Sequence, residues 1–253
     1  MSSETHAIQM ETDSHNATRV TTDESAEINY NVLFAFAKGK NLIVDRKCIT
    51  WMTTVRDTLI IYNLAMKEMP KYTNKKLGYR LLNMTANYGG DSSIFWTKPE
   101  WSGDINELDK DIHSGLLHNC SEYNASHRWS VNNVDSVRFL QETQNKYDLI
   151  YADPPFGDAY EDDYCENLLI GDMDMNQIVE YVFDGAGKRL WRGPKWTMVL
   201  KLPYKRYNMQ GFVEGLKDME LRRVIKYKIW SPADLEQIDH KTHKVILVLI
   251  TNK

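Results

Sequence analysis

The chain has 253 residues, 42% of them apolar and 26% charged, and its formal net charge is −4. A chain of this length can bury a full hydrophobic core, and its acidic balance excludes a protein whose whole surface is basic for nucleic-acid binding. Cys48, Cys120 and Cys165 lack the spacing of metal ligands, so we expect a reducing intracellular compartment, cytoplasmic or nuclear, without disulfides or a metal site. The sequence contains no secretory leader and no apolar run of about 18 residues, so we expect neither export nor a membrane span.

Composition divides the chain into three parts. Residues 1–27 are rich in Ser, Thr, Asp and Glu with almost no large apolar residue, which predicts a disordered N-terminal tail. Residues 28–76 are expected to form an extension that packs on the core, with a helix capped by Thr50 or Thr53 and ended by Pro70. Residues 77–253 are expected to form one α/β domain.

A predicted strand followed by a glycine-bearing turn opens this domain. The strand covers residues 77–83 and runs into Asn87, Gly89 and Gly90. Glycine has no side chain, and both Gly and Asn tolerate left-handed backbone conformations. The turn is therefore suited to close approach by a nucleotide-type cofactor, as in doubly wound folds.

Two acids are candidates for binding the nucleoside part of such a cofactor. We predict a helix over residues 105–112, a second strand over residues 116–120 and a short helix over residues 124–133. An acid at the end of the second strand binds ribose hydroxyls in these folds, which suggests that role for Glu122, with a solvated loop carboxylate as the alternative. Asp135 is the candidate for the adenine amino group, with a helix cap as the alternative.

A buried strand over residues 147–152 ends at Asp153-Pro154-Pro155-Phe156. The prolines fix the backbone, so the carboxylate and nearby carbonyls can accept hydrogen bonds from an exocyclic amine while Phe156 stacks on its ring. We expect Asp153 to make few packing contacts, so that its replacement costs little stability.

The remaining elements close the sheet. We expect a helix over residues 175–190 that weakens at its glycines, a strand over residues 196–203, and an antiparallel hairpin of residues 221–230 and 244–250. Lys201 and Lys205 belong to a basic group near the predicted site mouth that is a candidate for phosphate contact, with a solvated turn as the alternative.

The loop at Asp153 resembles the D/N/S-P-P-Y/F/W loop of S-adenosylmethionine-dependent amino-methyltransferases. The order of elements resembles that of the Rossmann-like class I methyltransferases, which have a mostly parallel seven-stranded sheet with an antiparallel terminal hairpin. Within this class, residues 30–250 look most like the trimethylguanosine synthase family, which methylates the guanine N2 of 7-methylguanosine caps. Its cofactor loop, D-x-x-C-G-x-G-G-N-T, matches residues 83–92, and its S-P-P-W-G-G loop matches residues 153–158.

The resemblance implies S-adenosylmethionine as cofactor and an RNA cap or another nucleic-acid purine as substrate. It implies catalytic roles for the four loop residues Asp153, Pro154, Pro155 and Phe156. Cofactor contacts are implied for Asn83, Asn87, Gly89, Gly90, Glu122, Asp135 and Asp153. Substrate contacts are implied for Trp51, Phe156 and Lys205; Trp51 lies in a segment that resembles the family's stretch before its first helix.

Several positions depart from the family pattern and keep two alternatives open. Asp153 stands where the family has serine, which gives the loop the form found in N6-adenine methyltransferases acting on DNA or RNA. Asn83 and Asn87 stand where the family has an acid and a glycine, which suggests a cap-binding or scaffold protein that has lost catalysis. Phe156 stands where the family has tryptophan, a better stacking partner for a cationic base.

Overall fold

The structure is a computed structural model that describes residues 28–69, 78–155, 165–203, 207–231 and 245–252. Within these ranges the strands are β1 (Tyr79–Asn83), β2 (Trp101–Glu107), β3 (Trp129–Asn133), β4 (Leu149–Ala152), β5 (Leu169–Ile170), β6 (Met173–Asp174), β7 (Thr197–Pro203), β8 (Ile225–Trp230) and β9 (Val245–Asn252). The α-helices are α1 (Tyr30–Leu33), α2 (Val55–Glu68), α3 (Ser93–Trp96), α4 (Lys110–Glu122), α5 (Ser136–Glu142), α6 (Met175–Phe183) and α7 (Met209–Leu221). Short 3-10 helices cover Arg46–Trp51 and Ala186–Leu190.

Seven strands form one sheet in the order β3-β2-β1-β4-β7-β9-β8. The first five strands in this order pair in parallel, and β9 pairs antiparallel with both β7 and β8. Strands β5 and β6 form a separate antiparallel pair. The predicted α/β fold, a mostly parallel seven-stranded sheet with antiparallel strands at one end, is therefore confirmed.

Helices cover both faces of the sheet because its strands send alternate apolar side chains to opposite sides. In β1, Leu81 packs in a cluster with α2, α3 and α4, whereas Leu82 packs in a cluster with α5, α6 and α7. In β7, Val199 belongs to the first cluster, and Met198 and Leu200 belong to the second. We call these sides the first face and the second face of the sheet.

The segment before β1 packs on the first face. Leu33 from this segment is buried in the same cluster as Leu81. The predicted helix is confirmed as α2, but its N-cap is Thr54 rather than Thr50 or Thr53. The side chain of Thr53 is consequently not used by the cap and makes contacts elsewhere.

Three predictions for the region between β1 and α5 are wrong. The helix predicted over residues 105–112 is replaced by the end of β2, and helix α4 begins only at Lys110. Strand β2 was hidden by its polar residues, which are buried but satisfied: Asp104 accepts a hydrogen bond from the Tyr147 hydroxyl at 2.7 Å, and Asn106 donates to the Ser136 hydroxyl at 3.1 Å.

The strand predicted over residues 116–120 lies inside α4, and the helix predicted over residues 124–133 contains strand β3. Leu116 and Cys120 are both fully buried and lie four residues apart, which places them on one side of a helix. That spacing, rather than the local apolar pair Leu116-Leu117, decides the conformation.

The N-terminal tail predicted over residues 1–27 lies outside the described residues. Among the helices of the described residues, none has the length and apolar character of a membrane span.

Candidate active site

The loops that follow β1, β2, β3 and β4 lie at the carboxyl edge of the sheet. Strand β1 pairs with β2 on one side and with β4 on the other, so the strand order changes direction beside β1. In open parallel sheets, ligands bind in the crevice at such a switch point. The polar side chains of the candidate site come from these loops, from β7 and from the N-terminal segment.

Asp153, the first residue after β4, is held by two side chains that donate to the same carboxylate oxygen. Its Oδ2 accepts a hydrogen bond from Lys201 Nζ at 2.6 Å and another from Thr53 Oγ1 at 2.8 Å. Lys201 Nζ also donates to Thr53 Oγ1 at 2.9 Å. The side chains of Lys201 and Asp153 are 8% and 10% exposed, so this contact is a buried ion pair.

The register of the sheet brings these two charges together. Ala152 of β4 pairs with Leu200 of β7, so the next residues, Asp153 and Lys201, lie side by side and point to the first face. Burial lowers the pKa of Lys201, but the charge of Asp153, the hydrogen bond to it and the charges of Asp57 and Asp91 together raise that pKa overall. Lys201 is therefore an internal cation, and its predicted contact with substrate phosphates is wrong.

The backbone of the loop after β4 is fixed as well. The Asp153 N–H donates to Thr85 Oγ1 at 2.8 Å, which joins the loop to the turn after β1. Pro154 is buried and Pro155 is exposed. The expectation that Asp153 makes few contacts is wrong, because its carboxylate and its backbone are both bonded to other elements.

Asn83, the last residue of β1, organises the turn that follows. Its Nδ2 donates to Asp91 Oδ1 and to Ser92 Oγ, both at 2.9 Å, and its Oδ1 accepts from the Thr85 N–H at 3.1 Å. Asp91 is 7% exposed. Burial, together with the nearby charge of Asp153, raises the pKa of Asp91 to about 7. The amide of Asn83 thus serves the internal bonding of the turn.

Asn87 adopts the predicted left-handed conformation, with φ of 49°, and it contacts an acid that the sequence prediction missed. Its N–H donates to Glu107 Oε2 at 2.9 Å, while Glu107 Oε1 accepts from the Asp109 N–H at 2.9 Å. Burial raises the pKa of Glu107, and these backbone hydrogen bonds oppose the increase. Glu107 is the last residue of β2, so it is the acid at the end of the second strand.

Glu122, predicted for that position, is instead the last residue of helix α4. Its Oε2 accepts from the Asn41 N–H at 2.8 Å, and its backbone carbonyl accepts from Lys40 Nζ at 2.9 Å. Glu122 therefore ties the N-terminal segment to α4. A sequence signal for Glu107 exists, because the N-cap residue Asp109 follows it two positions later and marks the start of the helix.

Asp135 follows β3 at the same edge, and the helix-cap alternative is confirmed. Its Oδ1 accepts from the N–H groups of Val137 and Arg138, at 2.9 and 3.0 Å, and so caps α5. Gly171, in the turn between β5 and β6, has φ of 59°, and a Cβ there would lie 2.7 Å from Asp135 Oδ2. The β5–β6 turn is therefore packed against this acid.

The glycines of the turn after β1 leave room for protein atoms. A Cβ on Gly89 would lie 2.2 Å from the Trp96 ring, and a Cβ on Gly90 would lie 2.7 Å from the Leu33 carbonyl oxygen. The expected turn is present, but close packing of α3 and of the N-terminal segment accounts for its glycines.

Trp51, one of the predicted substrate contacts, is largely exposed. It is 56% exposed, at the end of a 3-10 helix and two residues before Thr53. Four other tryptophans are at most 8% exposed and belong to the core: Trp96, Trp101, Trp191 and Trp196. Phe156 and Lys205, the other predicted substrate contacts, lie outside the described residues.

The cysteines belong to the packing of the molecule. Burial raises the pKa values of Cys48 and Cys120 to about 11, so both remain thiols near neutral pH. Across the described ranges, no group of three His, Cys, Asp or Glu side chains is arranged to hold a metal ion.

No protein-family model and no curated protein matches the chain. Among solved structures, the human methyltransferase 10 domain containing protein is similar at 13% identity, over 85% of this chain and 90% of that one, with a TM-score of 0.58. The N-terminal domain of human METTL16 in complex with SAH is similar at 13% identity, over 85% and 76%, with a TM-score of 0.55. An rRNA methylase from Streptococcus thermophilus is similar at 9% identity, over 77% and 95%, with a TM-score of 0.53. At these identities the likeness is one of fold, and the chain has the Rossmann-like fold of class I methyltransferases.

Gly89→Ala is expected to destabilise the protein more than Gly39→Ala does. Both glycines have left-handed φ values, 86° and 79°, but a Cβ on Gly39 would meet no atom within 4 Å. The control therefore carries only the backbone cost of about 1–2 kcal/mol, whereas the Gly89 variant adds about 1–3 kcal/mol of overpacking against Trp96. Urea unfolding measures both; equal losses would contradict the packing role of Gly89.

Asp91→Asn is expected to change how stability depends on pH. Since the folded-state pKa of Asp91 is about 7 against an ordinary 3.8, its ionisation weakens the folded state as pH rises from about 4 to 7, and the penalty is complete above that. The variant should gain on the order of 4 kcal/mol relative to wild type across this interval. Urea unfolding at several pH values measures the difference, with Asp111→Asn, at an exposed position of α4, as the charge-loss control. Parallel pH profiles for Asp91→Asn and wild type would show that Asp91 ionises normally.

Proposed function

We propose that the protein transfers a methyl group from S-adenosylmethionine to an exocyclic amine of a purine in RNA, with the guanine N2 of a 7-methylguanosine cap as the preferred acceptor. The observation that supports this most is the placement of the Asp153-Pro154-Pro155 loop beside the turn after β1, to which it is bonded through Thr85 at 2.8 Å. The same edge then holds a cofactor turn and an acceptor for an amine.

The residues at this edge fit a nucleoside-bearing methyl donor. Each oxygen of Glu107 accepts one backbone hydrogen bond, which leaves lone pairs for two ribose hydroxyls. Leu108, the next residue, is 65% exposed and offers an apolar surface for an adenine ring. Asp135 uses Oδ1 for its helix cap, so the proposed contact with the adenine amino group falls to Oδ2, which lies beside Gly171 of the β5–β6 turn. METTL16, one of the structural neighbours, was solved in complex with SAH, the demethylated form of this donor.

S-adenosylmethionine, when bound, would supply a methyl group to an amine nitrogen, with the S–CH3 bond broken, the N–CH3 bond formed, one amine proton released to solvent and SAH left. The contribution of the chain is to hold and orient the amine. Asp153 Oδ1 and the Pro154 carbonyl accept hydrogen bonds from the –NH2 group, so that the nitrogen faces the donor. Phe156 is proposed to stack on the base, with exposed Trp51 as a second ring at the rim and Lys205 near a phosphate.

Guanine N2 is preferred because the resemblance to trimethylguanosine synthases extends over residues 30–250, and an RNA substrate agrees with the rRNA methylase among the structural neighbours. Adenine N6 is the competing acceptor, favoured by the acid at position 153. An inactive scaffold is the third candidate, suggested by Asn83 and Asn87. Against it, Asn83 is built into the turn by three hydrogen bonds, and Asn87 presents its N–H to Glu107.

Glu107→Gln is expected to weaken binding of S-adenosylhomocysteine about 10- to 100-fold, because a carboxylate that accepts hydrogen bonds from two hydroxyls is replaced by a neutral amide. Glu122→Gln is the matched control and should bind like wild type, since Glu122 lies at the far end of α4. Isothermal titration calorimetry measures both constants. If Glu122→Gln weakened binding and Glu107→Gln did not, Glu122 and not Glu107 would be the acid that binds the ribose.

Asp153→Ala is expected to lower methyl transfer by at least about 100-fold, because the amine loses its acceptor. The assay follows labelled methyl groups from S-adenosylmethionine into a 7-methylguanosine-capped oligonucleotide and an uncapped adenine-containing one, with Asp111→Ala as the control. Because the Ala variant removes the carboxylate that Lys201 bonds, Asp153→Asn provides a second variant of closer shape. Near-full turnover in both variants would show that the reaction does not need Asp153. Labelling of the adenine-containing oligonucleotide alone would show that the acceptor is adenine N6 and not the guanine of the cap.

A further inference from the structure

We propose that Thr53 and Lys201 are positioning residues that present one chosen oxygen of Asp153 to the methyl-accepting amine. The inference rests on the proposed function and extends it to two residues outside the Asp-Pro-Pro-Phe loop. Thr53 comes from the N-terminal segment and Lys201 from β7, so the orientation of the catalytic acid is set by two other parts of the chain.

The hydrogen bonds distinguish the two oxygens of Asp153. Oδ2 accepts from both Lys201 and Thr53, at 2.6 and 2.8 Å, whereas Oδ1 accepts no hydrogen bond from the described residues. A carboxylate bonded this way cannot rotate without breaking two hydrogen bonds, one of which comes from the lysine ammonium group. Oδ1 is therefore the oxygen held available for a substrate N–H.

Lys201 also makes a buried carboxylate tolerable at this place. The charges of Asp153, Asp57 and Asp91 all act on Lys201 and raise its pKa against the effect of burial. Removing the ammonium group would leave Asp153 as an unpaired buried charge beside two other acids, which is strongly unfavourable. We expect Asp153 then to turn toward solvent and lose the geometry that the amine requires.

Thr53 connects the catalytic acid to the cofactor turn. Its hydroxyl donates to Asp153, and a Cβ on Gly90 would lie 3.3 Å from its carbonyl oxygen. Because helix α2 is capped by Thr54, the Thr53 side chain has no part in the cap. The N-terminal segment thus takes part in the site through one residue that touches both of its halves.

A pair of variants at Thr53 tests the hydroxyl. Thr53→Val keeps the shape and removes the hydrogen bond, so kcat should fall about tenfold or more while the dissociation constant for S-adenosylhomocysteine changes less than about twofold. Thr53→Ser keeps the hydroxyl and should lose about threefold at most. A merely structural role would give equal losses of kcat in the two variants, or would weaken cofactor binding in both.

A double-mutant cycle tests Lys201. Lys201→Met alone should lower kcat about 100-fold. If Lys201 acts through Asp153, the combination Asp153→Asn with Lys201→Met should be no slower than Asp153→Asn alone within about threefold, because no acid remains to be positioned. Urea unfolding is measured for wild type, the two single variants and the double variant. Lys201→Met should be less destabilising when it is combined with Asp153→Asn, since no buried charge is then left unpaired.

The outcomes separate the two proposals. A wild-type protein that transfers no methyl group to either oligonucleotide overturns the proposed function, and the positioning roles with it. An active wild type in which the kcat losses at residues 153 and 201 multiply, or in which Thr53→Val matches Thr53→Ser, overturns the positioning inference alone. The positioning inference is supported if the kcat losses at residues 153 and 201 do not multiply and if kcat falls much more in Thr53→Val than in Thr53→Ser.

Discussion

A buried ion pair between neighbouring strands is the constraint on which the site depends. Asp153 and Lys201 follow a register pair of β4 and β7, and each is nearly enclosed by protein. Neither charge can be buried alone at acceptable cost, so the ion pair depends on the pairing of β4 with β7. The geometry of the acid is thus specified by the register of the sheet.

The rest of the edge is built around this pair by polar residues that satisfy one another. Thr85 accepts from the Asp153 backbone and is itself bonded to Asn83, which in turn bonds Asp91. At the end of β2, the Glu107 carboxylate accepts a hydrogen bond from the Asn87 N–H. The turn after β1 and the loop after β4 are therefore joined by a continuous chain of hydrogen bonds, so displacement of one is expected to disturb the other.

Sequence reasoning located the elements whose signals are local. The strand ending at Asp153, the left-handed turn at Asn87 and the apolar strand before Pro203 all carry strong residue preferences. It failed at β2, where buried polar residues broke the apolar pattern, and consequently placed the second-strand acid at Glu122 instead of Glu107. Polar residues inside a sheet are satisfied by partners distant in the sequence, and those partners are visible only once the strands are paired.

The role of Lys201 could have been inferred in part. A lysine within the apolar run of β7 requires a buried anion, and the acid that ends a neighbouring parallel strand is the natural partner. What the sequence does not contain is the strand order that makes β4 and β7 neighbours. Thr53 carries no such signal, because its contact depends on how the N-terminal segment crosses the first face.

A crystal structure of the protein with S-adenosylhomocysteine would locate the cofactor relative to Asp153. We expect the ribose hydroxyls on the Glu107 carboxylate, the adenine beside Leu108 and Asp135, and the sulfur directed toward Asp153, with the bonds from Lys201 and Thr53 to Oδ2 preserved. Ligand bound away from the carboxyl edge of β1 and β4, or crystals that take up no ligand at millimolar concentration, would contradict this expectation.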